Sequence, residues 1–304
     1  MKFICVQPAI DYYTWQVEVM INNFMRNGVN PNDIEIVCAH YGTIPDNWKK
    51  LAEHYNYVRF FFYKDERTTK HYISSVRPYI LHQHWLRYPE LENETVFYYD
   101  CDIVLTKPVE FQDLLNDDIC YISDTVSYIG ANYVRSKGEK YLDLMTGLVG
   151  VNKDYVISQE KDSGGAQYII KNVPAKYWEK VYTDSESLYY NVNKLIVEDK
   201  PGHAIQIWCA DMWAVLWNLW LFGKETQVTP LMSFSWATSH LKEWDKHPIY
   251  HNAGVVNGTL KLFFKGQYQK ELPYNINLED YNKDFCSFKY SEEILKTKEV
   301  SCLL

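Results

Sequence analysis

Two carboxylates one residue apart, Asp100 and Asp102, close the segment Thr95-Val96-Phe97-Tyr98-Tyr99-Asp100-Cys101-Asp102. Thr95 to Tyr99 reads as a short buried strand, and side chains at i and i+2 of an extended backbone share one side. Two like charges held together at the mouth of a core are costly unless a cation neutralises them. Hard divalent ions such as Mn²⁺ or Mg²⁺ favour oxygen ligands and bridge carboxylates to phosphates. The spacing therefore points to a metal–diphosphate site. The plain alternative is a solvated turn after a strand, because Asp-x-Asp is common by chance.

Other residues carry chemistry at a distance along the chain. His251, in His247-Pro248-Ile249-Tyr250-His251-Asn252, is either a third metal ligand or an ordinary turn histidine. Lys265 and Gly266, after Leu262-Phe263-Phe264, are suited to meeting a diphosphate. In Asp162-Ser163-Gly164-Gly165-Ala166-Gln167 the paired glycines permit close approach of backbone to a ligand, or simply bend a loop into a strand. This segment has neither the Walker nor the Rossmann spacing. Asp211 opens the apolar stretch Met212 to Trp217, where it caps a helix or serves as a buried carboxylate tuned for chemistry.

The elements that must position these groups alternate. Strands are expected at Phe3 to Val6, Ile34 to Ala39, Val58 to Tyr63 and Thr95 to Tyr99. Helices are expected between them at Tyr13 to Met25, Trp48 to His54 (capped by Asp46) and Ile80 to Arg87. Beyond residue 110 the pattern predicts strands Leu148 to Val151 and Tyr168 to Ile170. Helices Trp178 to Tyr190 and Ala210 to Leu221 follow, then an irregular C-terminal third. This is an α/β chain with a mixed, mostly parallel sheet flanked by helices and ligands at its carboxyl edge. No clean boundary appears, which favours a single domain with a built-on C-terminal acceptor region.

Composition narrows the classes. The 304 residues are 47% hydrophobic and 23% charged, which suits a packed globule, with disorder expected at most in the last dozen residues. Aromatic content is 16%, with 26 Tyr and 10 Trp, enough either to enrich a core or to stack on sugars and bases. A net charge of −8 offers no global attraction to nucleic acid or to an anionic membrane. One stretch opposes it: Lys64, Arg67, Lys70, His71 and Arg77 form either a phosphate-contacting patch or a solvated charge cluster. Seven scattered cysteines without a Cys-x-x-Cys pair fit reduced thiols, hence a cytoplasmic location. The opening Met1-Lys2-Phe3-Ile4-Cys5-Val6 is too short for a signal peptide core. The apolar run Ala204 to Phe222 is broken by Gln206, Asp211 and Asn218, so it is read as a buried helix and no membrane association is expected. In that setting the sequons at Asn93 and Asn257 carry no glycosylation meaning.

In their order the motifs resemble GT-A glycosyltransferases, nucleotide-sugar enzymes with an Asp-x-Asp metal motif. The similarity sharpens toward plant hydroxyproline O-arabinosyltransferases and peptidyl-serine galactosyltransferases. Four segments carry it: Tyr12-Tyr13-Thr14-Trp15-Gln16 in the first helix, Arg77-Pro78 before His84-Trp85-Leu86, Asp100-Cys101-Asp102 running on to Pro108, and Ala210-Asp211-Met212-Trp213. The resemblance covers roughly residues 1–270. It implies a Rossmann-like GT-A domain over 1–290, split into a nucleotide-binding half at 1–110 and a sugar and acceptor half at 111–290, with a tail at 291–304.

The family resemblance also assigns roles. Asp102 and His251 hold Mn²⁺ (or Mg²⁺), and Asp100 meets the ribose or a metal-bound water. Arg77 contacts the uracil or diphosphate of a UDP-sugar, and Lys265 with Gly266 meets the phosphates. Gly164, Gly165 and Gln167 line the sugar, and Asp211 sits near the anomeric carbon or the acceptor hydroxyl; Asp211 and Gln167 are the catalytic candidates. The plant activities imply arabinose and a retained anomeric configuration. This chain departs from them in having Asp211 in place of Glu and a different C-terminal third, and no membrane anchor is expected.

A phage-encoded relative that decorates hydroxymethylcytosine in DNA suits a compact version, with a protein or glycan hydroxyl as the alternative acceptor. Two other classes remain. A nucleotidyltransferase usually carries a Gly-rich basic loop, which residues 7–14 lack. A non-catalytic sugar-binding module has no need of paired acids and a distant His.

Overall fold

A computed structural model describes residues 1–256 and 259–304; the Asn257 sequon lies outside the described residues. In chain order the elements are β1 (Lys2–Pro8), α1 (Asp11–Arg26), β2 (Ile34–His40), α2 (Asp46–His54), β3 (Arg59–Lys64), α3 (Val76–Arg87), β4 (Thr95–Tyr99) and β5 (Ile103–Leu105). Then come β6 (Cys120–Asp124), α4 (Val126–Ile129), α5 (Ala131–Lys137), α6 (Glu139–Val149), α7 (Lys153–Ser158), β7 (Gly164–Lys171) and α8 (Ala175–Asp199). The chain ends with α9 (Ala210–Leu221), β8 (Thr226–Val228), β9 (Phe234–Trp236), β10 (Ile249–His251) and α10 (Cys286–Lys298). Strands β1 to β4 and β6 to β8 belong to a seven-stranded, mostly parallel sheet, and β5, β10 and β9 form a small second sheet.

The chain divides into two compact units. One comprises Met1, Asp65–Tyr98 and Gln112–Thr229; the other comprises Lys2–Lys64, Tyr99–Phe111 and Pro230–Leu304. In the second unit β1, β2 and β3 pair in parallel, with Ile4 beside Glu35 and Ile36 beside Phe60. Residues Ile4, Cys5, Ile34, Ile36, Val37 and Cys38 have no exposed surface, the continuous apolar burial of strands covered on both faces. Helix α1 is buried from Thr14 to Phe24.

At the heart of α1 the Glu18 carboxylate accepts hydrogen bonds from the hydroxyls of Tyr55, Tyr274 and Ser301 and from the N–H of Cys302. The segment 291–304, expected as a tail, is ordered: helix α10 runs through it to Lys298 with Ile294 and Thr297 buried, and residues 301–302 are anchored to Glu18. Burial of apolar helix positions and satisfaction of a buried carboxylate hold it in place.

The first unit holds β4, β7, β6 and β8, with β7 antiparallel to both β4 and β6 and β8 parallel to β6. Helix α9 occupies the predicted Ala210 to Leu221, with Trp213, Leu216 and Trp217 buried. Among the described residues no helix is long and apolar enough to cross a membrane. The strand expected at Leu148 to Val151 is instead the last turn of α6, closed by Gly150 at φ 83°. A glycine in the left-handed region just past an apolar run is a helix stop, a signal that the short run of apolar residues masked. Asp46 is likewise the first residue of α2, with Pro45 in the capping position.

Candidate functional site

Asp100 and Asp102 lie outside the strands, with Asp102 in a turn. Strand β4 ends at Tyr99, and Cys101-Asp102 turn the chain into β5. Their convergence comes from pairing farther on: β5 runs antiparallel to β10 with Ile103 opposite His251, which brings a residue 149 positions from Asp102 alongside it. The N–H of Asn252 donates to the carbonyl of Asp102 at 2.9 Å and pins the turn to β10. His251 Nε2 stands 3.3 Å from Asp102 Oδ1 and 3.7 Å from Asp100 Oδ2. One ligand atom from each of the three residues falls within 4.8 Å of the others. Around an octahedral ion with bonds of about 2.1 Å, adjacent donors are about 3 Å apart and opposite ones about 4 Å, so the triad fits a dication. The ring of Trp236, opposite His251 on β9, stacks on the imidazole with centroids 5.5 Å apart and holds its orientation.

Lys265 is ion-paired with Asp102 Oδ2. Burial pushes the Asp102 carboxyl up, but the charge of Lys265 and the adjacent His251 outweigh it and hold the group well below the usual carboxylate range. Burial equally works against the Lys265 ammonium, and Asp102 more than restores it, so the lysine stays charged well above its ordinary range. Tyr12 lies beside the pair: burial raises its phenol, and the Lys265 charge partly offsets that rise. The sequence signalled Tyr12 only as part of a motif; nothing in it announced Trp236.

Arg77 and Asp211, expected at the donor and the reacting centre, meet in the other unit as an ion pair. Asp211 sits in the first turn of α9, where an acid also complements the helix dipole. The Tyr72 hydroxyl is 2.5 Å from Asp211 Oδ1 and 2.6 Å from the carbonyl of Trp208. Burial raises the Tyr72 phenol and the negative Asp211 adds to the rise, so it stays a neutral donor. Behind it, Glu186 accepts from the N–H groups of His71 at 2.9 Å and Tyr72 at 3.2 Å, and from the Ser75 hydroxyl. Glu186 does not stand out in sequence because it is one acid of a long helix, and Tyr72 is overshadowed by the charges of the cationic stretch around it.

In the cationic stretch from Lys64 to Arg77 the two arginines are committed to carboxylates, whereas Lys64, Lys70 and His71 are exposed. Arg67 has a side chain only 3% exposed and bonds both oxygens of Asp65, Nε to Oδ1 at 2.9 Å and a terminal nitrogen to Oδ2 at 3.0 Å. Lys70 Nζ lies 3.4 Å from the same carboxylate, and Arg77 is paired with Asp211. Buried carboxylates need these cations, and that demand was invisible in a linear charge count.

The glycine segment is also inside the protein. Gly164 and Gly165 begin β7, and a Cβ on them would collide with the Ser123 carbonyl in the first case and with Tyr168 and Met212 in the second. Gln167 has no exposed surface and its Oε1 accepts from the Ser123 hydroxyl at 2.7 Å. Gly266 packs against the ring of Phe264. In this structure these four positions serve close packing of strand and loop.

No family model and no curated protein matches the chain. Solved structures do. The bifunctional glycosyltransferase WbbM, in its apo form, aligns with a TM-score of 0.51 and 13% identity over 97% of this chain and 49% of its own. The galactosyltransferase LgtC, in complex with donor and acceptor sugar analogues, aligns at 0.43 and 12% over 96% and 95% of the two chains. The glycosyltransferase GlyE of Streptococcus pneumoniae TIGR4 aligns at 0.45 and 13% over 100% and 62%. The chain spans about half the length of WbbM, and their likeness is one of fold: the GT-A-type α/β architecture expected from the motifs.

Proposed function

We propose that the chain is a metal-dependent glycosyltransferase that moves a sugar from a UDP-sugar to a hydroxyl acceptor. The observation that carries this reading is the convergence of Asp100, Asp102 and His251 from segments far apart in sequence into one dication-sized cluster. Its likeness in fold to WbbM, a glycosyltransferase, supports it. Two carboxylates and an imidazole suit Mn²⁺ better than Mg²⁺, which prefers oxygen alone. In the transfer the anomeric C–O bond to the β-phosphate breaks, a bond to the acceptor oxygen forms, and the acceptor loses its proton. A dication bound by the triad supplies Lewis-acid stabilisation of the departing diphosphate. Lys265 adds charge by exchanging Asp102 for a phosphate oxygen. Asp211, fixed by Arg77 and Tyr72, is the carboxylate proposed to orient a sugar or acceptor hydroxyl.

The finer identity rests on the motif resemblance: arabinose as the first donor sugar to test, with retention at the anomeric carbon. Among acceptors a glycan or protein hydroxyl is favoured over hydroxymethylcytosine in DNA, because Arg67 and Arg77 are committed to Asp65 and Asp211. Seven unpaired cysteines, six of them buried, favour a reducing compartment such as the cytoplasm. Incubation with UDP-sugars and Mn²⁺ tests the reading. Release of UDP supports it, whereas pyrophosphate release from a nucleoside triphosphate identifies a nucleotidyltransferase, and release of neither a non-catalytic module.

A further inference from the structure

A groove of about 340 Å³ opens between residues 68–71 and one face of α8, wholly within the unit that holds Asp211. Its volume lies in the roughly 300–1,000 Å³ range of small-molecule sites. Tyr182, Glu186 and Tyr190 recur every four residues, so α8 presents them as one stripe. The His71 and Tyr190 rings lie side by side with centroids 4.9 Å apart, and Tyr182 forms a further wall. The floor is built rather than loose: Glu186 receives the N–H groups of His71 and Tyr72, and the Tyr182 hydroxyl donates to the carbonyl of Thr69 at 3.2 Å.

The lining decides the ligand. It contains aromatic rings, the hydroxyls of Thr68, Thr69, Thr183 and Ser187, the amide of Asn191 and the carboxylate of Glu186, which accepts from the N–H groups of His71 and Tyr72 and from the Ser75 hydroxyl. Among the described residues no Lys, Arg or aliphatic side chain lines it, which disfavours a phosphate, a nucleic acid or an apolar helix. Rings that pack against C–H faces, surrounded by hydroxyls, an amide and one carboxylate acceptor, match a polyhydroxylated ring compound.

We propose that this groove binds a neutral saccharide. As the acceptor site it rests on the transferase reading, and it then makes the acceptor a glycan; binding itself requires neither donor nor metal. The test is ligand-observed NMR with lactose, maltose and cellobiose on the full chain, without nucleotide or metal. Tyr190→Ala and Asn191→Ala change side chains on the helix surface, and Lys176→Ala, exposed in the first turn of the same helix and outside the lining, is the control; circular dichroism checks that each variant is folded. Binding of at least one disaccharide, weakened about tenfold or more in the first two variants and unchanged in Lys176→Ala, is the expected result. Binding that is equal in all variants, or no binding of any of the three, overturns the proposal. Neither negative touches the triad, and failure to release UDP from any UDP-sugar removes the transferase reading while leaving this measurement intact.

Discussion

Lys265 and Asp102 form an ion pair in which the ammonium holds one carboxylate oxygen while His251 faces the other at 3.3 Å. Lysine and a dication therefore compete for the same acid. Lys265→Met removes the internal competitor, and Mn²⁺ measured by calorimetry without nucleotide should bind several-fold more tightly than to the parent protein. The same variant lacks a cation for the diphosphate, so UDP affinity in the presence of Mn²⁺ should fall about tenfold, the scale of one lost charge-assisted hydrogen bond. Weaker Mn²⁺ binding in the variant would mean that Lys265 organises the site rather than guarding it.

His251→Ala should raise the Mn²⁺ concentration needed for half-maximal UDP release by at least about tenfold, since it takes away one of three protein ligands. Trp236→Leu leaves the ligands but frees the imidazole from its stacked partner. Its metal requirement should lie between those of wild type and His251→Ala. Identical metal titrations for all three proteins would return His251 to an ordinary turn residue.

Stability should depend on pH through Asp65. Burial opposes its charge, but the bonds and charge of Arg67 outweigh this and hold the folded-state carboxyl below its ordinary value. A depressed carboxylate contributes stability that is present above its unfolded pKa, near 3.9, and is lost as pH falls through the folded value. Denaturant midpoints should accordingly show a loss of stability toward strongly acid pH that is reduced in Asp65→Asn. At neutral pH Arg67→Met leaves the buried Asp65 carboxylate with only Lys70 as a cationic partner and should cost about 3 kcal/mol, more than Asp65→Asn. Equal and small effects from both changes would show that the pair is dispensable.

Tyr72→Phe keeps the ring stacked on Tyr189 and removes only the hydroxyl that faces Asp211 and the Trp208 carbonyl. If Asp211 acts in transfer, the looser carboxylate should lower kcat by about tenfold with little change in KM for the donor, consistent with about 1.4 kcal/mol of lost positioning. A change confined to thermal stability would make Tyr72 structural only.

The pairing of Asp100 and Asp102 was legible before the structure, because two acids after an apolar strand are costly together without a cation. The reason they meet His251 was not. It lies in β5 and β10, three residues each, too short to leave a periodic signal. Helix α9 was read to the residue from its apolar run, yet α4, α5 and α7 were missed because none exceeds seven residues, and α6 because its last apolar residues read as a strand. The paired glycines allowed two readings, a ligand loop or a bend into a strand, through the same property that lets them fit beneath the Ser123 carbonyl and Tyr168. Close approach to protein and to ligand leave one sequence signature.

The central claim is that Asp102 anchors a dication needed for sugar transfer. Its most direct test is UDP release from a panel of UDP-sugars, arabinose first, by the wild type and Asp102→Asn, each titrated with Mn²⁺ after chelation. The variant keeps the size of the side chain and removes both the repulsion with Asp100 and the attraction to Lys265, and circular dichroism checks that it is folded. The account predicts metal-dependent release by the wild type and none by Asp102→Asn at any Mn²⁺ concentration. Release that survives chelation, or that is equal in the two proteins, contradicts it.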